Sequence, residues 1–405
     1  MKYDFQPFSH LTDTPGSVFF IPELSDGFDL SLEPPVTGMV PISYRTKELP
    51  AGVYAVHIAL EATADIPRLY LFTGRKLLQD IISLREGERY EKTFYQSVAA
   101  IIPRYHTEVC AVKNLFFSYC TSRPESIRTG TCYAENLTGI PVLYLCGDST
   151  VTDQSSEIPY HPGACYASWG QALPAFLRSR VAVENQAHCG LSTETFRSEG
   201  HMDIVRHAIR PGDYCLFQFG HNDQKLPHLL ANREYPGNLK RYIEEIRAAR
   251  ATPLLATSLG RNIWKPDGTY HELLAEHAQA VRDVAEETGA ACIDLHAFSV
   301  AFIKRIGMEQ ACGYFHPGDC THTNEYGAYL FASFIAGELH RHYPDVFSQL
   351  AEPMKFEPPA NLWDTLEQKN NRIAGSGQKE QFDCMEKSVS ALLEALREAK
   401  EMGNK

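Results

Sequence analysis

Two patterns of hydrophobic and polar positions divide the chain near residue 135. Before this point, short segments alternate apolar and polar residues, as in GVYAVHIAL at 52–60. Alternation of period two without an apolar stripe of helical period predicts short strands. We therefore expect residues 1–135 to form an accessory β-sandwich domain. Its further predicted strands lie at 68–74, 91–102 and 111–120.

Beyond residue 138, short apolar runs alternate with segments of helical period. In HELLAEHAQAVRDVAEETG, apolar residues recur on one helical face and Gly289 supplies a stop signal. Apolar strands that alternate with helices predict a parallel sheet covered on both faces. We expect an α/β domain over 138–348, with functional groups beyond the carboxyl ends of its strands. The predicted strands are 142–146, 181–183, 214–219, 253–257 and 292–295.

The last segment, 349–405, begins with a proline-containing connection and ends with an amphipathic helical pattern. Such a stripe packs either on the body of the protein or on a second subunit. A homo-oligomer formed through this helix is therefore one expectation. The stripe comprises Phe382, Met385, Val389, Leu392, Leu393 and Leu396.

Charge and composition exclude several partner classes. The net charge is −12, from 50 acidic and 38 basic residues, and no long cluster of lysine and arginine occurs. Nucleic acid and anionic membranes are therefore not expected partners. The eleven cysteines are scattered without C-x-x-C pairs, which argues against a disulfide framework or a thiolate zinc site. With a polar N-terminus that lacks the apolar core of a leader, this pattern predicts a cytoplasmic protein.

Three successive predicted strands end in residues that can donate hydrogen bonds. The first runs into Gly147-Asp148-Ser149-Thr150, which places a serine hydroxyl and a free backbone N–H at the sheet rim. The second ends in NQAHCGLST, where Gly190 offers another N–H, and the third ends in FGHND, which contains Asn222. Taken alone, each motif is equally typical of a turn without any function, because glycine, asparagine, aspartate and serine favour turns. Their recurrence at three strand ends indicates one site.

A fourth segment, HPGDCTHTNEYG at 316–327, supplies an acid and a base. Asp319 and His322 lie three residues apart just before a predicted helix. This spacing lets both side chains enter one site, with the imidazole as general base and the carboxylate orienting it.

Taken together, the four segments resemble the SGNH (GDSL-like) hydrolases and, within them, the rhamnogalacturonan acetylesterase group. The resemblance covers roughly 141–342 and implies a flavodoxin-like, three-layer α/β/α domain. The sandwich expected over 1–135, outside the resemblance, is of the jelly-roll or galactose-binding-like type. Members often carry arginine directly after the glycine that corresponds to Gly190. This chain has Leu191 there, so a substrate contact differs at this position. Cys189 and Cys320, which flank functional positions, are interpreted as packing residues.

The resemblance implies a role for each motif residue. Ser149 would be the nucleophile, with Asp319 and His322 completing a triad. The oxyanion hole would comprise the N–H groups of Ser149 and Gly190 and the Asn222 amide. Beside these roles, we expect Asp148, Trp169 and His221 to contact the substrate.

The predicted function is a serine esterase that removes O-acetyl groups from acetylated plant-cell-wall oligosaccharides of the rhamnogalacturonan type. The scheme needs no cofactor and no metal. Alternatives are an acetylxylan or other acetyl-sugar esterase, and a GDSL-type lipid or thioester hydrolase, although the polar segment 151–168 favours a hydroxyl-rich ligand.

Two alternatives come from other classes. In a metal-dependent hydrolase, the ligands would come from His221, Asp223, His316, Asp319 and His322. In a non-catalytic carbohydrate-binding protein, the N-terminal aromatic residues Tyr105, Phe116, Phe117 and Tyr119 would stack on sugar rings.

Overall fold

The computed structural model of the protein describes residues 1–8, 39–103, 106–156, 159–363, 366 and 378–403. The strands are β1 (Lys2–Asp4), β2 (Gln6–Phe8), β3 (Ile42–Arg45), β4 (Gly52–Ala62), β5 (Ile66–Thr73), β6 (Leu77–Leu84), β7 (Arg89–Val98), β8 (Ala100–Ile101), β9 (Cys110–Ala111), β10 (Phe116–Thr121), β11 (Ile127–Thr129), β12 (Tyr133–Leu137), β13 (Val142–Gly147), β14 (Ala182–Asn185), β15 (Tyr214–Gln218), β16 (Thr252–Ala256) and β17 (Ala291–Ile293).

The α-helices, which lie mainly in the second half of the chain, are α1 (Trp169–Ala172), α2 (Thr195–Ser198), α3 (His201–Ala208), α4 (Glu234–Ala248), α5 (Ala275–Thr288), α6 (Leu295–Ile306), α7 (Met308–Cys312), α8 (Glu325–His342) and α9 (Gln378–Gly403). Helix α5 ends at Gly289 in the left-handed conformation (φ 66°), as its stop signal predicts. Short 3₁₀ helices occupy Pro124–Ser126, Leu173–Ala175 and Asp223–Lys225.

Five parallel strands form the centre of the α/β part in the order β14-β13-β15-β16-β17. In chain order this is 2-1-3-4-5, the flavodoxin-like arrangement, and it confirms the predicted parallel α/β sheet. Successive side chains of each strand point to opposite faces. Leu143 and Leu145 pack in the core on one face, whereas Tyr144 and Cys146 pack in the core on the other.

Helices cover both faces of this sheet. Helices α1, α6 and α8 contribute to the core on the Leu143 side, and α3, α4 and α5 contribute to the core on the Tyr144 side. The reversal of strand order beside β13 brings the carboxyl ends of β13, β14 and β15 together at one rim. At such a switch point, open α/β sheets place their ligand sites.

The N-terminal strands form two antiparallel layers that share a hydrophobic core. Strands β1, β12, β4 and β7 make one layer, and β2, β3, β10, β5 and β6 make the other. Side chains from both, such as Val56 of β4 and Leu71 of β5, meet in one cluster. The first layer also continues into the parallel sheet, because β7 pairs with β14 at Gln96 and Val183. The N-terminal strands are therefore hydrogen-bonded to the α/β part.

The second N-terminal layer is buried on both faces. Phe72 and Ile81 point away from the shared N-terminal core and pack in the same cluster as Trp169 and Tyr329 of the α/β part. The sequence pattern did not reveal strand β6, which supplies Ile81. The separate sandwich domain over 1–135 and its boundary at 138 remain predictions.

Aromatic residues of the N-terminal block serve as core residues rather than as a sugar-binding surface. Phe116, Phe117 and Tyr119 are at most 3% exposed, so the expectation that they stack on sugar rings is wrong. Apolar side chains of β10 are covered on both faces of their layer, which explains their burial. Tyr105 lies outside the described residues.

The C-terminal helix α9 docks on the body of the same chain. Met385 is buried in a cluster with Ile263, Cys312 and Cys320, and Phe382 packs against this cluster. Of the two sites expected for the amphipathic stripe, the structure shows the intramolecular one, and an oligomer remains a prediction. Within the described ranges, every helix is too short or too polar to span a bilayer.

Candidate active site

Ser149 lies on a tight turn directly after β13. Gly147 is required there, because a Cβ at this position would lie 2.6 Å from the Gln218 carbonyl oxygen. The turn is held by the Asp148 carboxylate, whose Oδ1 accepts hydrogen bonds from the Thr150 N–H (2.9 Å) and hydroxyl (2.8 Å). Ser149 itself stays half-buried at the rim.

Ser149, His322 and Asp319 form one hydrogen-bonded line. Ser149 Oγ lies 2.7 Å from His322 Nε2, and His322 Nδ1 lies 2.8 Å from Asp319 Oδ2. The other oxygen of Asp319 accepts the N–H groups of Thr321 (2.7 Å) and His322 (3.0 Å). Since Asp319 accepts at Nδ1, the imidazole nitrogen facing Ser149 is free to act as a base. The structure therefore brings together the three residues predicted to act as a triad.

The Asp319 carboxyl has a pKa well below its usual range. Burial alone would raise this pKa, but the hydrogen bond and charge of His322 and the two backbone N–H groups outweigh burial. An acid with a lowered folded-state pKa stabilises the protein above its unfolded pKa of about 3.9, and this stabilisation is lost as the pH falls further.

We expect Asp319→Asn to flatten the acid limb of the stability curve. The wild-type free energy of unfolding should fall steeply below about pH 4, because protonation of Asp319 is linked to unfolding. Urea titrations at several pH values between 7 and 3 measure this difference. Asp203→Asn is the control, because Asp203 is 59% exposed in a surface ion pair with Arg206. Parallel curves for wild type and Asp319→Asn would contradict the assignment.

The second and third strand ends are joined to each other. Asn222 Nδ2 donates to the Leu191 carbonyl oxygen (3.0 Å), and Asp223 Oδ1 accepts the N–H (2.9 Å) and hydroxyl (2.6 Å) of Thr193. Burial raises the pKa of Asp223 to about 6, although the Thr193 hydrogen bonds oppose this shift. These contacts place the Asn222 amide beside the turn that carries Gly190.

Gly190 is exposed and has the left-handed φ of 82°, which favours glycine. In the part of the chain that the structure describes, the N–H groups of Ser149 and Gly190 donate to no protein acceptor. Gln154 links the two turns: its Nε2 donates to the Ser149 carbonyl (2.7 Å), and its Oε1 lies 3.9 Å from Cys189 Sγ. Two unengaged N–H groups and a side-chain amide at one rim are the donors that an oxyanion needs.

The predicted substrate contacts of Asp148, Trp169 and His221 are wrong for this structure. All three residues are at most 2% exposed. Trp169 Nε1 donates to Gln218 Oε1 (2.8 Å), whose amide in turn donates to the Thr150 hydroxyl (2.8 Å). These side chains therefore face the protein interior, where their hydrogen bonds support the turn that carries Ser149.

Asp148 and His221 also connect the first and third strand ends. His221 Nδ1 lies 3.3 Å from Asp148 Oδ2, and its Nε2 lies 2.9 Å from the Leu259 carbonyl oxygen. Burial would raise the pKa of Asp148, but His221 and the Thr150 hydrogen bonds hold it below its usual value. The carboxylate thus positions the turn and does not reach substrate.

Three residues that the sequence analysis did not single out adjoin the site. Arg261 donates to the His221 carbonyl (3.2 Å) and the Thr321 hydroxyl (3.1 Å). It thereby connects the segment that contains Asn222 with the segment that contains Asp319 and His322. Burial lowers the pKa of Arg261 to about 10. The Tyr166 ring meets His322 edge to face, with centroids 5.7 Å apart. Tyr166 lies in the polar segment 151–168 and Lys225 lies three residues after Asn222, so the positions of these two residues in the sequence pointed to the site.

The residues of the metal alternative do not converge. Across the described residues, no group of three or more histidine, cysteine or acidic side chains is arranged to hold a metal ion. The His316 ring stacks on Tyr166 instead, with centroids 3.5 Å apart. Cys320 is buried, and burial raises the pKa of its thiol, which agrees with a packing role.

Comparisons with known proteins agree with this geometry. The model of the GDSL-like lipase/acylhydrolase family matches residues 145–323. Rhamnogalacturonan acetylesterase RhgT of Bacillus subtilis is 32% identical over 207 residues, which are 48% of this chain and 87% of RhgT. A rhamnogalacturonan acetylesterase of Emericella nidulans is 25% identical over 215 residues, 47% of this chain and 81% of that protein.

YxiM of Bacillus subtilis, named an uncharacterised esterase, is 30% identical over 203 residues, 49% of this chain. The match spans only about half of YxiM, 52% of its length. A crystal structure of YxiM aligns with 75% of this chain and 82% of its own, at 25% identity and a TM-score of 0.48.

The chain belongs to the SGNH, or GDSL-like, hydrolase family, in its rhamnogalacturonan acetylesterase-like group. It is a carboxylic ester hydrolase, and its relatives support an acetylesterase activity.

Proposed function

We propose that the protein is a serine acetylesterase that removes O-acetyl groups from acetylated oligosaccharides of the rhamnogalacturonan type. The observation that carries this proposal is the continuous line from Ser149 Oγ through His322 (2.7 Å) to Asp319 (2.8 Å). Nucleophile, base and orienting acid lie within hydrogen-bond reach of one another, as acyl transfer requires.

The reaction would proceed in two steps. His322 Nε2 takes the hydroxyl proton of Ser149 as Oγ attacks the acetyl carbonyl, and the N–H groups of Ser149 and Gly190 and the Asn222 amide stabilise the oxyanion. His322 then returns the proton to the departing sugar hydroxyl, which leaves an acetylated Ser149. Water attacks this ester while His322 accepts its proton, and acetate leaves.

The substrate class rests on the relatives and not on the polar segment 151–168. Asp153, Gln154 and Ser156 of this segment are each 2% exposed, so they serve the interior and offer no surface to a sugar. Two matched relatives are named rhamnogalacturonan acetylesterases, which favours acetylated pectin-type oligosaccharides over xylan, lipids or thioesters.

Acetate release from a panel of acetylated rhamnogalacturonan, xylan and chitin oligosaccharides tests the proposal. We expect the highest kcat/KM for the rhamnogalacturonan oligosaccharide and a lower value for a long-chain acyl ester. A clear preference for acetylated xylan, or for the lipid ester, would replace the proposed substrate class. Chelator treatment is included, because a serine mechanism is indifferent to it.

We further propose a reducing compartment, the cytoplasm, as the place of action. None of the eleven cysteines forms a disulfide in the structure. Thiols remain reduced in the cytosol, whereas exported proteins usually pair them. The enzyme would then act on imported oligosaccharides.

A further inference from the structure

A tight turn comes directly before Asp319, the orienting acid of the proposed triad. The Asp319 N–H donates to the His316 carbonyl (2.9 Å), and Pro317 and Gly318 occupy the two central positions of the turn. Gly318 has a φ of 78°, and proline followed by a left-handed glycine is the signature of a type II turn. The hydrogen bond of the turn uses the Asp319 N–H, so the Gly318 N–H needs an acceptor from elsewhere.

This acceptor comes from the C-terminal helix α9, 63 positions further along the chain. Gln381 Oε1 accepts the hydrogen bond of the Gly318 N–H, and Gln381 is 1% exposed. The two backbones also approach closely, because a Cβ on Gly318 would lie 2.8 Å from the Cβ of Cys384. Helix α9 is therefore seated directly on the turn, with no room for a side chain between them.

Helix α9 supports two of the four segments that build the candidate active site. Met385 is buried in one cluster with Cys320, the residue that follows the acid. The helix also packs against the 3₁₀ helix Asp223–Lys225 at the third strand end. It begins at Gln378, beyond the residues 145–323 that the family model matches. This chain thus adds a support for the site from outside the matched region.

The position of Asp319 decides the position of the imidazole. Its Oδ2 lies 2.8 Å from His322 Nδ1, and its Oδ1 accepts the N–H groups of Thr321 and His322. A tilt of the turn at Gly318 therefore moves the carboxylate, and with it the ring that faces Ser149. Without Gln381, the Gly318 N–H would lose its acceptor, and the turn would have to tilt to reach another one.

We propose that Gln381 is a positioning residue of the active site, which fixes through the Gly318 N–H the turn that presents Asp319 to His322. This inference rests on the proposed function, because it takes the triad to be the catalytic group. Gln381 acts through the turn and not on the reacting atoms. A displacement of about 1 Å far from the chemistry can cost about 100-fold in rate, so the effect belongs in kcat and not in KM.

The test compares two variants with p-nitrophenyl acetate as the substrate. Gln381→Met has a similar size and lacks the acceptor oxygen, and we expect it to lower kcat about 10- to 100-fold while KM stays within about twofold. Gln381→Glu keeps an acceptor oxygen and should recover most of kcat. Gln279→Met is the matched control, because Gln279 is an exposed glutamine of α5 bound to Asp283, and this variant should equal the wild type.

A second measurement follows the turn itself and needs no turnover. Hydrogen–deuterium exchange over residues 316–322 should be faster in Gln381→Met than in the wild type, whereas exchange in the central strands β13 and β15 should stay the same. Faster exchange throughout the chain would show a general loss of stability and would overturn the positioning role. A wild-type kcat for Gln381→Met would also overturn it, as would a Gln381→Glu variant as slow as Gln381→Met.

The proposed function can fail separately. If a fluorophosphonate does not label Ser149 in the wild type, the triad is refuted and both proposals fall. If Ser149 is labelled but Gln381→Met leaves kcat unchanged, the positioning role alone is refuted. A wild type that hydrolyses p-nitrophenyl acetate but releases acetate from no oligosaccharide refutes the substrate class alone.

Discussion

Replacement of Ser149 by alanine is expected to lower the turnover of p-nitrophenyl acetate by about 10⁴-fold or more. The hydroxyl lies 2.7 Å from His322 Nε2, and no other hydroxyl in the described part of the chain is hydrogen-bonded to this imidazole. A half-buried rim serine contributes little to the core, so the free energy of unfolding should change by less than about 1 kcal/mol.

A covalent probe makes this experiment independent of substrate choice. A fluorophosphonate should label the wild type at Ser149, and Ser149→Ala should remain unlabelled. Ser83→Ala, at an exposed hydroxyl bound to the Pro67 carbonyl, should match the wild type in both assays. Retention of more than a few per cent of the activity by Ser149→Ala would mean that another group is the nucleophile.

Arg75→Met should destabilise the protein by about 3–5 kcal/mol, because it removes the positive charge that faces two buried carboxylates. Arg75 lies between β5 and β6 and reaches from the N-terminal strands into the α/β part. Its Nε is 2.8 Å from Asp153 Oδ2 and its Nη2 is 3.7 Å from Glu184 Oε1, and these two acids are only 2% and 7% exposed. Burial raises the pKa of Glu184 to about 7, and Arg75 opposes that shift.

The same substitution should also reduce activity. Asp153 accepts a hydrogen bond from Asn185 Nδ2 (2.8 Å), and this amide also binds the carbonyl of Val151 (2.7 Å), two residues after the nucleophile. Loss of Arg75 therefore loosens the turn that carries Ser149. Urea unfolding and kcat on p-nitrophenyl acetate measure the two effects.

Arg89→Met is the matched control for Arg75. Arg89 is 73% exposed in its ion pair with Glu61, and such pairs contribute less than about 1 kcal/mol. If both variants had the same free energy of unfolding, the contacts of Arg75 with Asp153 and Glu184 would not contribute to stability. The expected difference would show that Arg75 couples the N-terminal strands to the α/β part.

The candidate catalytic residues could be predicted from the sequence because their signals are local. Ser149, Gly190 and Asn222 each follow an apolar strand, and parallel strands end at a common rim. Asp319 and His322 are separated by a fixed spacing of three residues. The 2.7 Å and 2.8 Å hydrogen bonds join Ser149 to His322 and Asp319, and the 3.0 Å hydrogen bond from Asn222 to the Leu191 carbonyl joins the other two segments.

Only the tertiary structure decided which polar residues face the substrate and how the two halves of the chain join. Trp169, Asp148 and His221 looked available in the sequence, yet all three are buried: Trp169 donates to Gln218 of β15, and Asp148 faces His221 from a turn distant in sequence. Arg75 joins Asp153 across 78 positions, a pairing that no local pattern encodes. Hydrophobic periodicity specifies which face of an element is buried, whereas the partner of a buried charge depends on packing between elements distant in sequence.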